Sequence, residues 1–508
     1  MEQLSNLEYL KLNKLNKIWY KLKCFIFAIP GWFVAFFKGL WAKIKNLGLK
    51  IWANIVDIGV TFKKGSWKTR VSFFVMGFGN MMFGQWLRGI VFFVFEVLFI
   101  LYMSLAGGYW LSKFGTLGTE QPIKDMHPVL DVEYVVKLGD NSFKILLYGL
   151  LTIAFIVAFV YTWRLNVKQC KICEQIIASG KKVKSGKEDM QSLIDDQFHK
   201  TLLALPVMGI IVFTVMPIIF MILVAFTNYD GDHPGNGYAN LFTWIGFDNF
   251  NAIFDFGGGN KFTFGEILAW TLMWAFFATF TNYFLGMFVA MMINKKGIKI
   301  KKFWRTVLVL TIAIPQFISL LYVSNLFSNS GIINATLMKW GWAKQPIKFW
   351  ENKHIARTMV ILINIWIGIP YLMLISTGIL MNIPQDLYEQ ARIDGANVWQ
   401  QYTRITLPYM LFVTGPYLLT SFVGNINNFN VIYLLTGGGP LNPDLMLDGQ
   451  AAGDTDLLIT WLFNITTGST ANYKMASVIG ILIFLVVAIL SLIVYRILPR
   501  SFFPFFIR

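Results

Sequence analysis

Long apolar runs, separated by short basic or glycine-rich segments, fill most of this chain. They predict about eight helices near the twenty or so residues that a bilayer core requires. The predicted spans are Arg88–Trp110, Phe143–Trp163, Leu202–Thr227, Gly265–Ile293, Phe303–Phe327, Thr358–Leu380, Tyr409–Leu435 and Lys474–Tyr495. Val71–Ala106 is longer than one span needs, so an interfacial or re-entrant stretch is expected ahead of Arg88. Nearer the start, Leu15, Ile18, Trp19 and Leu22 form an apolar stripe, with Lys14, Lys17 and Lys21 off it. That pattern predicts an amphipathic helix over residues 11–23, lying on a membrane surface. Cys24–Phe37 is apolar but short, and Pro30-Gly31 is expected to interrupt it. A basic start before a short apolar run also imitates a signal peptide. No small-residue cleavage site follows, so the segment is expected to be retained.

The connecting segments set the orientation. With both termini in the cytosol, the inside segments are 1–70, 164–200, 294–302, 381–408 and 496–508. They hold most of the Lys and Arg, including Lys295, Lys296, Lys299, Lys301 and Lys302 in one short loop. The outside segment carrying Asp230, Asp232, Asp248 and Asp255 has only Lys261. This asymmetry satisfies the positive-inside rule. Three regions follow: a basic interfacial region at 1–87, two peripheral spans with a cytosolic loop at 88–200, and a core of the remaining spans at 201–508.

Composition agrees with the pattern. The chain is 56% hydrophobic and 14% charged, with mean hydropathy +0.56, which excludes an ordinary soluble domain. A net charge of +17 would suggest nucleic acid in a soluble protein. Here the basic residues flank apolar spans, so anionic lipid is the better partner and nucleic acid is not expected. Cys170 and Cys173 form one CxxC in a Lys-rich loop, without the second ligand pair that a structural zinc needs. They read as cytosolic thiols, with metal or redox chemistry as the alternative. None of the four histidines has metal-ligand spacing to another. Gly180–Lys187 lacks the P-loop spacing and a following Ser or Thr, so it reads as a solvated basic loop. Glu96 falls inside a span. It reads as a partner for a neighbouring helix, with a functional role as the alternative.

The segment between the sixth and seventh spans is the most informative. Glu389–Pro408 reads EQARIDGANVWQQYTRITLP. Pro384 suits a first helical turn, and Asp386 and Glu389 suit the positive end of the helix dipole. Asp394-Gly395 predicts a stop, with a helix resuming over Ala396–Thr406 and closed by Leu407-Pro408. The result is an exposed knob between two spans. Its pattern, E-A-x-x-x-D-G-A followed by I-x-L-P, resembles the signature loop of permease subunits in binding-protein-dependent ABC importers. Glu389, Asp394, Gly395, Ala396, Ile405, Leu407 and Pro408 fit, Gln390 stands where alanine is usual, and the resemblance implies that Ala391 belongs to the same ATPase-coupling loop. Over about Thr201–Arg496 the chain resembles the larger permease subunit of maltose/maltodextrin importers. The large extracellular domain that some of that family carry between the third and fourth spans has no counterpart in the short segment Asn228–Phe264.

Polar interruptions mark two late spans: Asn364–Tyr371 and Gly424–Asn430. Amides in hydrocarbon are costly unless they face protein, water or a ligand. A sugar site and helix–helix hydrogen bonding both account for them. The resemblance implies that Asn364, Ile367, Gly368, Tyr371, Gly424, Asn425 and Asn428 line an intramembrane sugar site. An aromatic residue is expected at position 424, so Gly424 leaves the substrate open.

The expected protein is thus an all-α integral membrane permease of the type I ABC importer fold, carrying maltodextrin-like oligosaccharides across the cell membrane. By the resemblance, its partners are a second permease subunit, two ATPase subunits and an extracellular sugar-binding protein. It holds no cofactor of its own, since ATP and Mg belong to the ATPases. An ATPase-independent transporter or membrane-embedded enzyme is the alternative.

Overall fold

The computed structural model describes residues 14–126, 133–231, 241–254, 262–295, 297–468 and 471–502. The side chains of the stripe Leu15–Leu22, together with Lys296, Asp232, Asp255 and Lys261, lie outside the described residues. In chain order the elements are α1 (Lys14–Lys64), α2 (Trp67–Val71), α3 (Phe78–Met82), α4 (Trp86–Tyr102), α5 (Gly108–Phe114), β1 (Ile123–Met126), β2 (Glu133–Lys137), α6 (Ser142–Ala178), α7 (Gly186–Ile194), α8 (Phe198–Ile210), α9 (Met216–Val224) and α10 (Asp248–Ile253). There follow α11 (Thr263–Asn294), α12 (Lys301–Ala313), α13 (Gln316–Leu326), α14 (Ile332–Lys339), α15 (Lys353–Leu380), α16 (Gln385–Ile393), α17 (Val398–Gln401), α18 (Leu407–Ile426), α19 (Phe429–Thr436), β3 (Leu441–Leu447), β4 (Gln450–Gly453), α20 (Leu458–Thr467) and α21 (Tyr473–Phe502). Wide π turns join α4 to α5, α8 to α9 and α17 to α18. Among the described residues the chain is helical as expected, apart from two short antiparallel hairpins, β1–β2 and β3–β4.

Among the described residues, seven helical stretches are long and apolar enough to cross a membrane, and an eighth is a bent pair. That pair, α12 and α13, replaces the straight helix expected at Phe303–Phe327 and turns by 90°. Pro315 causes the break, because the residue before a proline is driven out of the helical region. Ile314 accordingly takes an extended ψ of 124°.

Other expectations are corrected. Pro30-Gly31 does not interrupt α1, which runs unbroken to Lys64. Cys170 and Cys173 are buried in α6 and do not sit in a loop. The stretch Gly180–Lys187 is a loop as expected up to Ser185, and only its last two residues are helical, since Ser185 and Glu188 form a capping box that starts α7. Leu407-Pro408 does not close the knob's second helix. The π turn Tyr402–Thr406 takes up the bond that Pro408 cannot make, and the helix continues as α18.

Two compact units are present, Met1–Ser112 with Leu150–Ile210, and Lys113–Gly149 with Ile211–Arg508. In the first, a polar stripe on α6 grips the broken segment ahead of α4. The Trp163 indole donates to Phe73 O at 2.9 Å. The Asn166 amide donates to Ser72 O at 2.8 Å and accepts from Gly77 N at 2.9 Å. Glu174 accepts from Ser66 N at 2.7 Å and from the Thr69 hydroxyl at 2.6 Å. Glycine is required at position 77, where φ is +83° and a Cβ would come 1.9 Å from Gly89 O. Glu96 accepts from Met76 N at 2.8 Å, so among the described residues its partner is this broken segment and not the expected neighbouring helix.

The second unit is built on α11 and α15. Their close approach needs Gly286, whose Cβ would lie 2.6 Å from Leu372 Cβ, and Gly368, which lies against the Asn282 amide. Tyr283, Met287, Leu372, Met410 and Leu418 fill the adjoining core. At another end, Arg357 lies over the Trp270 ring at 4.4 Å and donates to Asp454 O at 2.7 Å. Lys353 pairs with the Asp454 carboxylate at 3.1 Å. Beside them Asp456 is buried and accepts from Gly453 N and the Thr460 hydroxyl, both at 2.8 Å. Burial pushes its carboxyl up to about 6, against the pull of those donors and of Asn464.

Candidate functional site

The knob takes the expected form, with a sharper turn than the composition alone implies. Pro384 is the residue before α16, and Asp386 sits in its first turn. At the far end Gly395 has φ +75°. Ala396 N donates to Ala391 O at 2.8 Å and Gly395 N to Arg392 O at 3.1 Å. This pair of bonds is a Schellman closure, which satisfies the last carbonyls of α16. Asn397 and Gln400 then form a capping box at 2.8 and 2.9 Å that starts α17. The Tyr388 hydroxyl meets that of Thr406 at 2.9 Å, tying the two helices together.

Glu389, Asp394 and Gly395 are exposed, and Ala391 and Ala396 are partly covered. Around them stands an apolar rim that sequence reasoning missed. Ile393 is 85% and Val398 83% exposed, with Trp399 beside them. Apolar side chains bared on a polar knob mark a surface for a protein partner. The available signal was two β-branched residues flanking D-G-A-N.

In the spans, Asn364, Ile367, Gly368 and Tyr371 fall on one face of α15, at steps of three and four residues. Asn364 is buried, and its carbonyl accepts from the Asn282 amide at 3.4 Å. The Asn364 amide nitrogen and the Asn282 amide oxygen have no hydrogen-bond partner among the described residues. Asn282 was not singled out from the sequence, although an amide inside Gly265–Ile293 was visible there. Tyr371 is 49% exposed. Its ring lies 6.5 Å from that of Tyr417 on α18. Gly424 lies seven residues on from Tyr417, about two turns along α18, with open space above it.

Asn425 and Asn428 behave differently. The Asn425 amide donates to the Thr279 hydroxyl at 3.0 Å, and its carboxamide oxygen accepts from Asn428 at 3.2 Å. Its backbone carbonyl accepts from the Trp274 indole at 3.1 Å. Asn428 caps α19 by accepting from Val431 N at 3.3 Å. Both side chains are therefore engaged in joining α18, α19 and α11. Phe429 stacks on Tyr433 at 4.7 Å and meets Phe463 edge-on at 4.9 Å, so its ring is also engaged within the protein.

Residues 282–503 match the family described as binding-protein-dependent transport system inner membrane component. The galactooligosaccharides transport system permease protein GanP of Bacillus subtilis is 33% identical over 426 residues, covering 83% of this chain and 95% of that protein. The maltodextrin transport system permease protein MalC of Streptococcus pneumoniae is 32% identical over 431 residues, covering 83% and 93%. These alignments are longer than residues 201–508, so the likeness reaches further upstream than the expected Thr201. A solved bacterial alginate ABC transporter, in complex with an alginate pentasaccharide-bound periplasmic protein, is 22% identical with a TM-score of 0.49, covering 61% of this chain and 97% of that one. With its membrane-spanning helices and its knob between two of them, this chain belongs to the family of binding-protein-dependent transport system inner membrane components, as a permease subunit and not an enzyme.

Proposed function

We propose that the chain forms half of the translocation path of an ATP-driven importer for neutral, maltodextrin-like oligosaccharides. The knob carries this reading: a rigid Schellman turn with an exposed apolar rim, held between two spans, is shaped to be gripped by a partner. In this reading two ATPase subunits bind ATP and Mg and close on Glu389, Ala391, Asp394, Gly395 and Ala396. A second permease subunit completes the path and an extracellular sugar-binding protein delivers the cargo. Both termini then lie in the cytosol of a cell-membrane protein, in keeping with the distribution of Lys and Arg.

Two observations support a sugar as cargo. The permeases named above serve maltodextrin and galactooligosaccharide systems. Asn364 and Asn282 also offer a buried donor and acceptor for hydroxyl groups, beside the half-exposed ring of Tyr371. Asn364, Ile367, Gly368, Tyr371 and the open face at Gly424 form the contact surface in this proposal, with Tyr417 added. Asn425 and Asn428 hold its frame.

The test is uptake into proteoliposomes carrying both permeases and both ATPases, with labelled maltooligosaccharide, galactooligosaccharide and the binding protein. ATP-dependent uptake of the first is expected. Uptake by this chain without the ATPases, or failure of any oligosaccharide to compete, overturns the proposal.

A further inference from the structure

Helix α1 is mounted the opposite way round from a soluble amphipathic helix. Trp41, Ile44, Ile51, Trp52, Ile55 and Phe62 recur at helical spacing and form one apolar stripe. All of them are exposed, Trp41 at 70% and Trp52 at 66%. Near its C-terminal end the protein holds the other face. The Asp57 carboxylate pairs with Lys171 of α6 at 2.5 Å. Thr61 is buried, and its hydroxyl donates to Asp57 O at 2.7 Å. Arg70 donates to Phe62 O at 3.1 Å and to Lys63 O at 2.8 Å, closing the helix end. A helix in water buries its apolar stripe and shows its polar face. Here the polar face is fixed to the protein around Asp57 and Thr61 at one end of the arm, and the apolar stripe is bare along its length.

Charge identifies what covers it. The stretch Lys38–Lys64 carries Lys38, Lys43, Lys45, Lys50, Lys63 and Lys64, against the single carboxylate Asp57, already paired with Lys171. Lys38, Lys45 and Lys63 are separated by close to whole helical turns, so they line one edge of the stripe. That many lysines exclude a transmembrane placement. A second protein helix would cover the stripe yet leave the lysine edge without counter-charge. An anionic bilayer surface satisfies both, with tryptophan at the level where it ordinarily collects.

We propose that Lys38–Lys64 is a membrane-surface arm, seated in the headgroup layer of an anionic bilayer through its tryptophan–isoleucine stripe and its lysines. Through Asp57–Lys171 and the Arg70 closure the arm is fixed to α6 and α2, so lipid composition sets how firmly this part of the protein is held.

The test uses the full chain in nanodiscs of phosphatidylcholine, with or without phosphatidylglycerol. Single nitroxide labels go on Ile44→Cys, Ile51→Cys and Ile55→Cys, and on Asn46→Cys and Asn54→Cys opposite, in a Cys24→Ser background. With phosphatidylglycerol, labels on the stripe should collide with oxygen in preference to a water-soluble nickel chelate, and those opposite should do the reverse. In the seated population, each of Lys45→Gln and Lys63→Gln should weaken the preference for phosphatidylglycerol by roughly fivefold. Stripe labels shielded from both probes would show a protein partner on this face and overturn the proposal. Stripe labels open to nickel in both discs, or no difference between lipids, would overturn it as well.

Discussion

Replacing Gly286 by alanine probes how α11 and α15 are held together. A Cβ there would lie 2.6 Å from Leu372 Cβ, and 3.1 Å from Leu372 C and Met373 N. None of these atoms is the end of a flexible side chain, so relief requires one helix to move. Carbon atoms in ordinary contact stand about 3.5–4.0 Å apart, so the helices must part by roughly 1 Å. That opens the seam along Tyr283, Met287 and Leu372. Overpacking of this kind costs about 1–3 kcal/mol. Alanine returns about 0.5–1 kcal/mol of helix propensity, leaving a net loss of roughly 0.5–2 kcal/mol. Gly378, in α15 with open space around it, supplies the control. There alanine keeps the gain and meets no clash. Thermal unfolding in detergent, followed by tryptophan fluorescence, should place Gly286→Ala below the native protein and Gly378→Ala at or above it. If the two variants unfold together, the glycine contact does not hold the helices and the reasoning is wrong.

Other expected outcomes follow from the same geometry. Gly395→Asn, which tolerates the left-handed conformation, should fold normally; Gly395→Asp should also insert, and both should lose co-purifying ATPase subunits, whereas full docking by both would deny the knob its role. Tyr371→Ala should leave stability unchanged and lower sugar uptake by a few-fold, on the scale of one lost hydrogen bond of about 0.5–1.5 kcal/mol; unchanged uptake would remove Tyr371 from the contact surface. Asn425→Ala loses its bonds to Thr279 and Asn428 and should destabilise the protein by about 1–2 kcal/mol; unaltered unfolding would show those bonds to be dispensable. Because Asp456 is raised from 3.8 to about 6 in the folded protein, its contribution is full below about pH 4 and is lost as pH rises through about 6. Lowering pH from 7 to 5 should therefore stabilise the native protein by about 1 kcal/mol more than Asp456→Asn, measured as the difference between their unfolding midpoints.

The apolar runs made the spans legible, because a bilayer core fixes helix length. The knob was legible for a different reason: Asp394-Gly395 allows few backbones other than the turn observed. The proline positions were misread. Pro315 breaks a span, whereas Pro30, Pro370 and Pro408 lie within continuous helix, so the presence of a proline did not by itself signal a break. The asparagines show the same limit. Asn425 and Asn428 have the composition of a sugar site, yet Asn425 bonds to Thr279 and Trp274, which lie far away in the chain. Asn282 carries an unpartnered oxygen and gave no sign beyond being an amide among apolar neighbours. The Asp454–Lys353 pair also depends on distant segments meeting, whereas the β3–β4 hairpin is local and turns at Asp448-Gly449, a signal the sequence did carry.

The π turn at Tyr402–Thr406 has a mechanical meaning. Because the helix does not end at Pro408, the chain from Val398 to Ile426 is one continuous helical lever, with Pro416 inside it. At 1.5 Å per residue it is about 43 Å long. Tilting a rod of that length by about 5° carries its far end nearly 4 Å. A lateral push at Val398 and Trp399 is therefore carried along continuous helix toward Tyr417, Gly424 and the Asn425 junction, with Pro408 and Pro416 as the places where bending takes up part of it.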